Sequence, residues 1–147
     1  MRRIAAALVA LVGIGSPMAV TSAASATDFH GTTCPGAPYA CLWKDTDYKT
    51  AGNVNDYFNF KQYFGDARNF RFGSSGYVVD DRTSSMVNDA TGRTVWLYNG
   101  YNCTGSETVP KGAQTYDADF SNDSPLPGGA FNDSISSAAF SDYLSSC

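Results

Sequence analysis

Histidine is almost missing from this chain of 147 residues: the single one, His30, lies ahead of the patterned region. A Ser-His-Asp or Cys-His nucleophile needs an imidazole inside the fold, so that chemistry is not expected. There is also no CxxC pair to join a histidine around zinc. Glutamate is nearly absent, with Glu107 alone beside thirteen Asp. Asp favours turns and caps, whereas Glu favours helix interiors, and no window carries a long helical apolar stripe. Beyond Val12 no apolar run approaches the length of a membrane span. No glycine loop follows a strand to cradle phosphate. The adjacent acids Asp80 and Asp81 are sequence neighbours at a strand end, not two acids facing a cleft. These absences argue against an enzyme.

What is present begins with a leader. Arg2 and Arg3 precede an apolar run from Ile4 to Val12, and small residues lead to Ala24-Ser25-Ala26. This pattern predicts a signal peptide over 1–26 and an exported chain of 121 residues starting at Thr27. Without the two leader arginines, eight basic residues face fourteen acidic ones, a net charge of −6. Nucleic acid and anionic membrane are therefore not expected as partners. Export makes disulfides the default for the four cysteines. Cys34 and Cys41 lie seven apart around Pro35, Gly36 and Pro38, which favours a local loop and leaves Cys103 with Cys147.

Residues 27–38 read as a Pro- and Gly-rich lead-in to one domain over 39–147. Strands are expected at 39–43, 69–72, 76–79, 94–98 and, more weakly, 134–140. The aromatic stretch 55–64 fits either a strand pair or a short helix. The chain also repeats itself. "CLWKDTDYKTAG" (41–52) resembles "WLYNGYNCTG" (96–105), and about forty residues after each start comes "DDRTSS" (80–85) or "NDSISS" (132–137). Two Greek keys are therefore expected, one over about 39–90 and one over about 93–147. Neither could cover its own apolar face, so they should pack as a disulfide-bonded all-β sandwich.

The two closing motifs share the pattern [ND][ND]xx[ST]S. Asn and Asp supply 22 residues, Ser and Thr 28, and Ser alone 16. Shuffling that composition yields roughly 0.07 matches, so two are not accidental. Asn55-Asp56, Asn88-Asp89 and Asn122-Asp123 lack the hydroxyl pair and read as plain turns. A hard cation such as Ca²⁺ takes six to eight oxygen ligands. An arch supplying a carboxylate, a carbonyl and a hydroxyl gives about three of these, and two arches side by side can complete two shells by exchange.

These motifs, each following an aromatic-rich key, resemble the paired calcium signature of microbial βγ-crystallins. The resemblance implies side-chain ligands from Asp81 and Asp133 and carbonyl ligands from Arg82 and Ser134. It implies hydroxyls from Ser84 and Ser136 reaching to the partner site. Ser85 and Ser137 would then bond backbone within the arch. Of the two implied Ca²⁺ sites, the second is expected to be better, because Arg82 sets a cation beside the first. Affinity is expected to be micromolar or weaker.

A second resemblance spans most of the exported chain. The leader, "CPGAPYACLWKDTDY", the "TVWLYNGYNCTG" repeat and the late Cys147 are similar to the bacterial peptidase inhibitor family I36, which shares the βγ-crystallin fold. It implies a secreted monomer that inhibits an extracellular protease through a rigid loop, and Cys34–Cys41 offers such a loop; the inhibitory residues themselves stay unknown. The alternatives are a calcium-binding structural or stress protein without a protease partner, or a secreted toxin or cell-wall-binding module.

Overall fold

The computed structural model describes residues 34–106, 110–122 and 131–147. The expected leader, its cleavage point and most of the lead-in fall outside them. Within them the chain is all-β, with strands β1 (Ala40–Trp43), β2 (Phe58–Phe60), β3 (Tyr63–Phe64), β4 (Ser85–Asn88), β5 (Val95–Tyr98), β6 (Thr115–Asp117) and β7 (Ser137–Phe140). They form two antiparallel sheets, ordered β2-β1-β4-β6 and β3-β7-β5. The two halves exchange a strand: β3 of the first pairs with β7, and β6 of the second pairs with β4.

Side chains alternate across the inner strands, so each sheet sends one apolar face inward. Leu42 and Met86 meet Phe64, Leu97, Phe120 and Phe140 in one cluster. Cys41, Trp43 and Val87 face the other way and bury with Cys34 and Tyr48 in a second. The aromatic stretch 55–64 resolves into β2 and β3, which lie in different sheets while Phe60 and Phe64 pack edge to face at 5.0 Å.

Two expected strands are not formed. Asp66 accepts from the Arg68 amide at 3.0 Å and caps a 3₁₀ turn over Ala67–Asn69, which takes the start of 69–72 out of any ladder. The segments 69–72 and 76–79 pair at the single bridge of Arg71 with Val78, bracketed by Phe72 N donating to Tyr77 O at 2.9 Å and Val79 N donating to Phe70 O at 3.2 Å. The alternation still sets burial, since Phe72 is buried and Arg71 exposed.

β4 and β6 carry no strong sequence signal. β4 is buried at all four positions yet begins with Ser85 and ends with Asn88. Its polar groups are satisfied: Asn88 Nδ2 donates to the carbonyls of Arg93, Lys111 and Gly112 at 2.8, 3.0 and 2.8 Å. Both expected disulfides are formed, with Cα separations of 5.9 Å for Cys34–Cys41 and 5.5 Å for Cys103–Cys147.

Candidate functional site

The two closing motifs lie side by side and lace together with near two-fold symmetry. Asp81 N donates to Ile135 O at 3.2 Å, and Asp133 N donates to Thr83 O at 3.1 Å. Both aspartates hold left-handed backbone, φ 51° and 55°. Asp tolerates that region better than most residues, because its short polar side chain bonds locally. The serines cross over as well. Ser84 Oγ donates to Asp133 Oδ1 at 3.0 Å, and Ser136 Oγ donates to Asp81 Oδ1 at 3.4 Å. Each hydroxyl therefore faces the carboxylate of the opposite arch.

The frame beneath is symmetric too. Ser84 N donates to Trp43 O at 2.9 Å and Ser136 N to Tyr98 O at 2.8 Å, which anchors each arch to the first strand of its own half. Ser85 and Ser137 do not bond within their arches. Ser85 Oγ donates to Asp45 O at 2.7 Å and accepts from Tyr48 N at 3.2 Å. Ser137 Oγ donates to Gly100 O at 2.5 Å and accepts from Cys103 N at 2.9 Å. A serine oxygen seated under a turn with a free carbonyl and amide satisfies both groups at once, so these residues clamp the loops after β1 and β5.

The carbonyls of Arg82 and Ser134 take no hydrogen bond among the described residues, which leaves both available as ligands. Arg82 is exposed and turns outward, its Cζ 5.8 Å from the centre of the Tyr77 ring. The Asp81 carboxyl is pushed above the usual carboxylate range by partial burial, then by the charge of Asp80, with Asp133 adding to it. A bound cation would relieve all three effects.

The donors are carboxylates, carbonyls and hydroxyls, the hard-oxygen set that suits Ca²⁺ rather than a transition metal. Among the described residues no group of three or more His, Cys, Asp or Glu converges on one point. Each shell would thus rest on one arch carboxylate, with carbonyls, the crossing hydroxyl and water making up the rest. The residues present fit calcium on those terms.

Tyr101 is a contact that sequence reading missed. Its hydroxyl donates to Asp80 Oδ2 at 3.1 Å, so the loop after β5 touches the first arch. Arg68 lies 4.0 Å over the Tyr101 ring while paired to Asp66 at 2.9 and 2.8 Å. No pattern in the sequence joins residues from such separate segments.

Comparisons with known proteins bear on the fold. No family model matches the chain, and no curated protein matches it. A solved structure described as "Evolution of the eye lens beta-gamma-crystallin domain fold" superposes with a TM-score of 0.55 at 17% identity, covering 73% of this chain and 88% of that one. A βγ-crystallin from Ciona intestinalis superposes with a TM-score of 0.49 at 13% identity, covering 69% and 96%. Together with the two antiparallel sheets, the first likeness gives this chain the βγ-crystallin fold. Among the described residues no helix is long and apolar enough to cross a membrane.

Proposed function

We propose that this protein is an exported, non-catalytic binding module whose two arches hold Ca²⁺ and thereby tie its two halves together. One observation carries the reading: the reciprocal crossing of Ser84 to Asp133 and Ser136 to Asp81. A serine that serves only its own turn has no reason to face the opposite acid. Calcium would supply concentrated positive charge between arches that otherwise juxtapose Asp80, Asp81 and Asp133. The chain's own part is to fix the donors. The left-handed aspartates set the carboxylates, the anchored serines set the hydroxyls, and the open carbonyls of Arg82 and Ser134 complete what each arch offers. Two disulfides suit an oxidising compartment, and the reading places the protein outside the cell.

Thermal melts with calcium and with chelator test this. Calcium at 100 times its dissociation constant is expected to stabilise the fold by about 2.7 kcal/mol. An unchanged melting temperature at millimolar calcium overturns the reading.

A second reading rests on a different observation. The Cys34–Cys41 loop exposes Pro35, Ala37 and Pro38 while Tyr39 N bonds Gly36 O at 3.1 Å, so a short segment is held in one shape by the disulfide and this turn. A loop already fixed loses little entropy on docking, as a protease inhibitor requires. Titration against a panel of secreted metallo- and serine proteases checks it. Inhibition that disappears on deleting the loop is expected, and full protease activity at micromolar protein removes this reading.

A further inference from the structure

The two arches share a backbone plan but differ in what neighbours each carboxylate. In the second arch both Asp133 oxygens are occupied: Oδ1 accepts from Ser84 Oγ at 3.0 Å and Oδ2 from Asn132 Nδ2 at 3.2 Å. In the first arch Asp81 accepts only the longer bond from Ser136 at 3.4 Å, and nothing among the described residues donates to its Oδ2. Asn132 is replaced at the matching position by Asp80, which has no proton to give and adds a charge. Asp80 Oδ1 is buried without a hydrogen-bond partner, so little water lies between that charge and its surroundings. Its other oxygen is held by Tyr101 at 3.1 Å.

Two cations near the first arch need weighing. Arg68 is committed to Asp66 through two hydrogen bonds, so that pair is close to neutral as a unit. Arg82 is exposed with its guanidinium over Tyr77, where water screens it. Asp80, with an oxygen sealed from solvent, is screened less. We infer that, given the calcium reading above, the first arch is the tighter of the two cation sites, and that Asp80 and Asn132 set the order of filling. The order suggested by Arg82 in the sequence is reversed, because the arginine faces away and the second-arch carboxylate is already engaged.

Calorimetric titration of Ca²⁺ into the disulfide-bonded protein tests this. Asp133→Asn keeps the first arch's carboxylate and Asp81→Asn keeps the second's, and the former is expected to bind about tenfold more tightly. Adding Asp80→Asn to Asp133→Asn keeps an acceptor for Tyr101 but removes the charge, and a weakening of about tenfold is expected. Asn132→Asp in the otherwise unchanged protein is a gain-of-binding arm that needs no deletion. It frees Asp133 Oδ2 and adds charge, and should tighten the weaker site by about tenfold. Tighter binding by Asp81→Asn than by Asp133→Asn, or indifference to positions 80 and 132, overturns the inference while leaving calcium binding intact. No binding heat in the unchanged protein overturns both.

Discussion

The loops after β1 and β5 follow the same backbone path with different means of support. Asp47 N donates to Ala118 O at 2.9 Å where Asn102 N donates to Gly65 O at 2.7 Å, and each reaches into the other half. Asp47 and Tyr48 take φ of 57° and 57°, matched by 52° and 52° at Asn102 and Cys103. Tyr48 is thus the counterpart of Cys103. The first loop is pinned by a buried ring that meets Trp43 edge to face at 5.6 Å. The second is pinned by a covalent bond to Cys147. One backbone solution accepts either a packed aromatic or a crosslink, because both remove the freedom of the same left-handed turn.

Deleting the two supports in turn should separate them. Replacing Cys103 and Cys147 with serine frees a loop spanning 44 residues, for which about 4 kcal/mol of lost stability is expected. Tyr48→Ala should cost about 3 kcal/mol, in the range for emptying a large aromatic site. Denaturant melts fitted for both midpoint and slope measure the two losses. A slope unchanged by loss of the crosslink would show that it acts through native packing rather than by restricting the unfolded chain.

The smallest expected effect sharpens the comparison at the ends of β4 and β7. Asp89 N donates to Tyr39 O at 3.1 Å just as Ser141 N donates to Thr94 O at 2.9 Å. Ser141 is exposed, whereas Asp89 is 3% exposed with Oδ2 buried and unpartnered. Burial raises its carboxyl above the usual range. A raised folded value means stability is fully present below the unfolded pKa and is lost as pH rises through the folded one. Asp89→Asn should therefore raise the melting temperature slightly at neutral pH and lose that advantage below about pH 4. A lower melting temperature at pH 7 would show that the carboxylate is stabilised by contacts its surroundings do not display.

Much of this was legible in the sequence where chemistry is local. Apolar, β-branched and aromatic runs mark β1 and β5, and the doubled motif marks the two arches. β4 was hidden because its buried ends are Ser85 and Asn88, whose burial depends on distant carbonyls and amides. β6, with Thr115, Tyr116 and Asp117 on an exposed edge, has no apolar signature at all. In the repeat, counting from Leu42 and Leu97 sets Tyr48 against Cys103, although Tyr101 is the tyrosine of the second copy. In the candidate site, the direction of Arg82 and the reach of Tyr101 to Asp80 are tertiary facts. A side chain's heading and a partner from another segment leave no trace in residue spacing.

The exchange of β3 and β6 has a consequence for how the chain comes apart. Tyr63 and Phe64 find their ladder only against Ala138 and Ala139, and Thr115 to Asp117 only against Met86 to Asn88. Neither half keeps a complete sheet if the other melts, so unfolding should be all-or-none across the whole domain. The two repeated halves thus form one cooperative unit, and a fragment holding either half alone is expected to stay unfolded.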